Sequence, residues 1–141
     1  MTGSRDLGSL IGRVMLALIF VMSGLDKLTG PAKTAGYMAF GGIPHLLIYP
    51  GVALSIAVEL GCGLLIVVGF KARLASLAIF LWLIPVTILF HFLPYRDAVA
   101  QGKSMEALIN MIMVLKNLSI MGALLFVASM GPGGYSIDGN T

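Results

Sequence analysis

Residues 51–70 read GVALSIAVELGCGLLIVVGF, an almost wholly apolar run that carries one carboxylate, Glu59. As a helix these twenty residues rise about 30 Å, the hydrocarbon thickness of a bilayer. A carboxylate at that depth costs roughly 2.5–3.5 kcal/mol on insertion scales. Glu59 is therefore expected to be paired, neutral or turned to a wet cavity. Gly51, Ser55 and Gly63 share its i, i+4 ridge, and a ridge of small residues lets a second helix come close. Glu59 is read as facing protein, not lipid.

The rest of the chain agrees with a membrane setting. Of 141 residues, 58% are hydrophobic and 11% charged, against about 25% charged in a soluble domain. Mean hydropathy is +0.99. There is too little polar sequence for a separate soluble module, so residues 1–141 are read as one domain. The net charge of +3 comes from nine scattered Lys and Arg with no basic run, which fits topology and headgroup contact and gives no sign of nucleic acid. Cys62, the only cysteine, lies inside the apolar run, so no internal disulfide, CxxC dithiol or cysteine metal site exists in this chain. It reads as a small buried thiol.

In chain order, Met1–Ser9 is a short polar lead. An apolar segment follows, interrupted by Arg13 and closed by Asp26-Lys27. No small-residue cleavage site follows it, so it is read as a retained helix and not a signal peptide. Thr29–Tyr49 is the longest connection, broken by Pro31, Gly36, Gly41-Gly42 and Pro44, with a short surface helix expected over Ala32–Phe40. Leu74–Phe92 holds Trp82 and Pro85 and ends at His91; Leu93–Met105 reads as a polar loop. A last apolar run ends at Met130, before Gly131-Pro132-Gly133-Gly134 and a polar tail. The spans are expected over about 7–27, 51–70, 74–92 and 107–130. The fold class is an all-α integral membrane protein, an antiparallel four-helix bundle with both termini on one face.

Call that face A and the opposite one B. Asp26 and Lys27 then reach face B, and His91 ends the third span there. Glu59 lies eight residues, roughly 12 Å, below B on the second span, and Lys116 about nine residues, roughly 14 Å, down the fourth. Equal depth predicts that Glu59 pairs with Lys116, with Arg13 as a rival partner reaching in from face A. The candidate ligand-binding residues are accordingly Arg13, Asp26, Lys27 and Glu59, joined by His91, Lys116 and Asn117. Around a cavity, such groups bind a small anion, hydrogen-bond a quinone carbonyl or relay protons. Without a cavity, the same pair is a structural ion pair that only pins helix register. His45, His91, Asp26 and Glu59 lack a metal-ligand spacing such as HxxxH, so no metal site is expected. No GxSxG supports a serine nucleophile. The nine methionines are dispersed and read as packing residues.

Several motifs together resemble the DoxX family. They are Gly12-Arg13 opening the first span, Ser23-Gly24-Leu25-Asp26-Lys27 closing it, Glu59-Leu60-Gly61-Cys62-Gly63 in the second and His91-Phe92 ending the third. Lys116-Asn117-Leu118-Ser119-Ile120-Met121-Gly122 in the fourth and the Gly131-Pro132-Gly133-Gly134-Tyr135-Ser136-Ile137-Asp138 tail complete the set. The resemblance covers nearly the whole chain. It implies a small multi-pass protein of the bacterial inner membrane, tied to redox metabolism. A relative is a subunit of thiosulfate:quinone oxidoreductase, and mycobacterial members join a complex with superoxide dismutase and a thiosulfate sulfurtransferase.

The first functional reading is a membrane subunit of a redox or sulfur/oxidative-stress system that binds a quinone or small oxyanion through Lys116, Lys27 and His91. No flavin, haem or iron–sulfur signature is present, so an enzymatic activity of this chain alone has no cofactor signature to rest on. Two further readings stand beside it: a small proton-coupled transporter titrating Glu59, and a non-catalytic scaffold docking soluble enzymes by its loops. Its partners on these readings are the lipid bilayer, soluble redox enzymes and a second copy of the chain. Face A is read as cytoplasmic, because Arg5, Lys71 and Arg73 crowd the helix ends there, although Lys27, Lys33, Arg96 and Lys103 on face B nearly balance them.

Overall fold

A computed structural model describes residues 2–140, with side chains over 3–139; Met1 of the polar lead lies outside the described residues. The chain forms α1 (Thr2–Thr29), a short α2 (Pro31–Phe40), α3 (His45–Val68), α4 (Ala72–Ala100) and α5 (Ser104–Met130). A single 3₁₀ turn, Asp138–Asn140, follows, and no strand occurs among the described residues. Four of these helices are long and apolar enough to cross a membrane. The all-α four-helix membrane bundle read from the sequence is the fold observed.

Local chemistry sets the boundaries. Gly30 ends α1, and Pro31 opens α2 at a first-turn position where its missing N–H is no loss. Gly69 caps α3 at φ +69°, a left-handed conformation that favours glycine. Three ends differ from expectation. The polar lead is already helical from Thr2, so α1 extends well beyond residue 7. The second span begins at His45, not Gly51, because Pro50 costs α3 one intrahelical bond without breaking it. The third runs on to Ala100 through the stretch read as a polar loop. Pro94 falls in the first α-helical turn after a π-wound segment, where a proline is tolerated.

The interior is thin. Ala17, Phe20, Ile66, Ile79 and Leu124 form its centre. A second cluster, Ala35, Met38, Ile48 and Val52, lies beneath α2. Only 11–28% of the most apolar stretch of each span is buried, so most of its apolar surface faces outward, as hydrocarbon requires. Such a bundle is held by close contact of small residues and by polar pairs, since lipid is as apolar as leucine. A Cβ on Gly24 would sit 2.6 Å from the Cβ of Leu60 and 2.8 Å from its backbone nitrogen, so only glycine lets α1 and α3 approach this closely. Gly63 continues the contact against Phe20 and Val21 of α1.

The tail is more than a polar ending. It folds back across face A and is tied down residue by residue. Ser9 Oγ donates to the Pro132 carbonyl at 2.7 Å, and Gly134 N donates to Asp6 Oδ1 at 2.8 Å. Ile137 N and Asp138 N donate to the Val68 and Gly69 carbonyls, while Asp138 Oδ2 accepts from Ala72 N at 3.1 Å. Arg13, 2% exposed, donates to the carbonyls of Ile66 at 3.0 Å, Val67 at 3.1 Å and Tyr135. One side chain thereby joins the start of α1, the end of α3 and the tail.

Candidate functional site: an ion pair at the floor of a cavity

Two segments depart from α-helical winding, and each carries one of the titratable side chains that line the cavity described next. Ala57–Cys62 in α3 is π-wound around Glu59, and Ile88–Phe92 in α4 is π-wound around His91. A π turn inserts one residue and re-aims the side chains after it, and such turns are frequent at functional sites.

Glu59 is 8% exposed and receives three donors. Lys27 Nζ, in the last turn of α1, lies 2.6 Å from Oε2. Ser55 Oγ, one turn earlier in α3, donates to Oε1 at 3.0 Å, and Trp82 Nε1 of α4 reaches the same oxygen at 3.3 Å. Lys27 also donates to Ser23 Oγ one turn back. The Gly24–Leu60 contact explains the pairing, because it draws α1 against the π segment one turn before Lys27. An ammonium has three donors. Ser23 and Glu59 take two, and Lys27 is also part of the lining of the adjacent cavity.

That cavity has a volume of about 630 Å³ and lies among α2, α3 and α4. Lys27, Glu59, Trp82 and His91 line it, with Tyr37 and Phe90 among the other residues of its wall. Tyr37 and Phe90 stack at 5.2 Å between ring centroids, 25° from parallel. Most of the remaining wall is apolar, including Met38, Ile43 and Leu89. Its size and mixed character are those of a small-molecule site.

The expected Glu59–Lys116 pair is not what forms. Lys116 is exposed, with Nζ 3.5 Å from Met113 Sδ on its own helix. Its neighbour Asn117 is the inward residue, 4% exposed, donating to Thr87 Oγ1 of α4 at 2.9 Å. Successive helix residues point about 100° apart, and it is Asn117, not Lys116, that is turned to Thr87. Arg13 does not reach Glu59 either: it stands fourteen residues, about 21 Å, from Lys27 along α1. Asp26 turns to the surface and pairs with Lys33 at 3.2 Å, both side chains well exposed. Of the seven candidates, the cavity thus unites Lys27, Glu59 and His91, with Asn110 and Lys116 of α5 near His91. Arg13, Asp26, Lys116 and Asn117 are not part of its lining.

Sequence reading passed over Ser23, Ser55 and Trp82 as hydrogen-bonding residues. Two signals pointed to them. Ser23–Lys27 and Ser55–Glu59 are both i, i+4 pairs, and an indole N–H in mid-span needs an acceptor. No group of three His, Cys, Asp or Glu side chains converges as a metal site among the described residues.

A bundle of four membrane-spanning helices, with a buried polar pair lining a cavity of about 630 Å³, defines a small multi-pass membrane protein. Residues 8–92 match the DoxX family model, and the chain belongs to the DoxX family. It is 35% identical over 134 residues to Inner membrane protein YqjF of Escherichia coli (strain K12), an alignment spanning 95% of this chain and 92% of that one. It is 37% identical over 137 residues to Inner membrane protein YphA of the same organism, covering 96% and 91%. No solved structure matches the chain. With relatives of the inner membrane and four apolar spans, the chain is a multi-pass inner-membrane protein in contact with the bilayer.

Proposed function

We propose that the chain is a membrane subunit of a redox or sulfur/oxidative-stress system, and that its cavity binds the head group of a quinone. The observation that carries this reading is that Lys27, whose ammonium has one donor more than Ser23 and Glu59 take, lines an apolar-walled hollow of about 630 Å³. A neutral ring with a carbonyl oxygen matches that combination: the oxygen accepts from Lys27 and the ring lies against Trp82 and the apolar wall. A small oxyanion suits it less well, because Glu59 already cancels the charge of Lys27. The redox setting comes from the family resemblance. The chain carries no electron carrier signature of its own, so electrons would pass between the quinone and a partner protein.

Trp82 is the sole tryptophan and lines the cavity, which makes it a built-in reporter. Titrating a short-chain ubiquinone into the detergent-solubilised protein is expected to quench its emission saturably. In Lys27→Met/Glu59→Gln the midpoint is expected to rise about 10- to 100-fold, since a hydrogen bond from a charged donor contributes roughly 1.5–3 kcal/mol. Thiosulfate should leave the titration unchanged. Linear quenching identical in both proteins, or displacement by thiosulfate, would refute the quinone assignment.

A further inference from the structure

We infer that a second groove, at face A between the beginning of α1 and the end of α5, is a binding site for an anionic phospholipid. It is distinct from the cavity beside Glu59, which lies on the face B side of the bundle. The groove has a volume of about 480 Å³, and Arg5, Gly8, Gly12, Arg13, Leu16 and Phe126 are among its lining residues. A Cβ placed on Gly8 or Gly12 would meet nothing within 4 Å, so the space beside α1 is empty there. Phe126, 64% exposed, forms part of the lining from α5, so the groove opens outward along the apolar surface.

Charge decides what fits. Arg13 is buried, and the acceptors it meets are three backbone carbonyls, which are neutral. Its Nε is buried with no hydrogen-bond partner at all. A guanidinium held among neutral groups keeps its full charge, and burial makes an uncompensated charge costly. The nearby carboxylates are engaged elsewhere: Asp6 accepts from Gly134 N, and Asp138 from Ala72 N. Arg5 makes no ion pair among the described residues, and Arg73 lies against Gly131 on the tail. Two arginines, Arg5 and Arg13, therefore line a groove whose other walls, including Leu16, Ala123 and Phe126, are largely apolar, and Arg73 lies beside Gly131 at its edge. A phosphate at the arginine end and an acyl chain along the apolar end satisfy both halves. A free phosphate would satisfy only the first. Helix ends at this face lie at the membrane–water boundary, the depth of a lipid headgroup.

The test is native mass spectrometry of protein equilibrated with equal amounts of phosphatidylglycerol and phosphatidylcholine. Phosphatidylglycerol is expected to be retained roughly tenfold over phosphatidylcholine, from the attraction of clustered Arg for anionic lipid. Arg5→Gln should lower that preference about fivefold. Gly12→Leu places a side chain in the groove without altering charge, from a Cβ position with nothing within 4 Å, and should abolish retention of both lipids. Lys103→Gln, on the opposite face, should change nothing. Equal retention of the two lipids, or an equal loss in Lys103→Gln and Arg5→Gln, overturns the proposal. So does displacement of the bound lipid by excess inorganic phosphate, which would make this a site for a free anion.

Discussion

Lys27→Met is expected to destabilise the bundle by about 3–5 kcal/mol, the cost of stranding one member of a buried ion pair. The side chains of Lys27 and Glu59 are only 17% and 10% exposed, so solvent screens the contact weakly. Without the ammonium, Ser55 and Trp82 still donate to Glu59, but both are neutral and meet the same oxygen, leaving Oε2 unpaired. The double variant Lys27→Met/Glu59→Gln removes both charges and should regain most of the loss, because replacing a whole buried pair is often nearly neutral. Thermal unfolding of the parent, both single variants and the double variant in one detergent reads this directly. If Lys27→Met unfolds with the parent, the two groups do not constitute a coupled buried pair.

Arg13→Met should have the other large effect, and at the opposite end of the molecule. Three carbonyls lose a charged donor, each such hydrogen bond being worth roughly 1.5–3 kcal/mol. The expected result is release of the tail together with lower thermal stability. Limited proteolysis followed by mass measurement should show cleavage within residues 131–140 in the variant, under conditions where the parent is intact. Arg13→Lys should behave almost as badly, because one ammonium cannot span the three carbonyls that the planar fork reaches. An uncut tail in both variants would mean that Asp6, Ser9 and the Val68–Ala72 turn hold it without Arg13.

How much of this was legible in the sequence divides by the kind of physics involved. Hydrocarbon thickness imposes a length and a composition on each span, so four helices and their order followed from the apolar runs alone. Burial of Glu59 followed as well, since a carboxylate within twenty apolar residues has few places to go and small residues share its ridge. Depth was also readable: Lys27, Glu59 and His91 were placed toward one face, and the cavity unites them.

Azimuth was not. Lys116 and Asn117 have nearly the same depth, and which of the two turns inward depends on how α5 is rotated against Thr87 of α4. The partner of Glu59 likewise depended on Gly24 admitting α1 to within contact of Leu60, a feature of helix packing that hydropathy does not encode. The two π turns that surround Glu59 and His91 leave no mark in a residue pattern. The tail was read as a polar ending because its ties run to Asp6, Ser9 and Arg13, more than 120 residues away in the chain.

The most direct test of the central claim, that Lys27 and Glu59 meet at the floor of a ligand-accepting hollow, is photolabelling with an azido-quinone followed by peptide mapping. Label should concentrate on α2 near Tyr37 and on α4 between Trp82 and His91, and excess short-chain quinone should prevent it. Label spread over the lipid-facing surfaces, or centred on Lys116 of α5 and insensitive to competitor, would contradict the account.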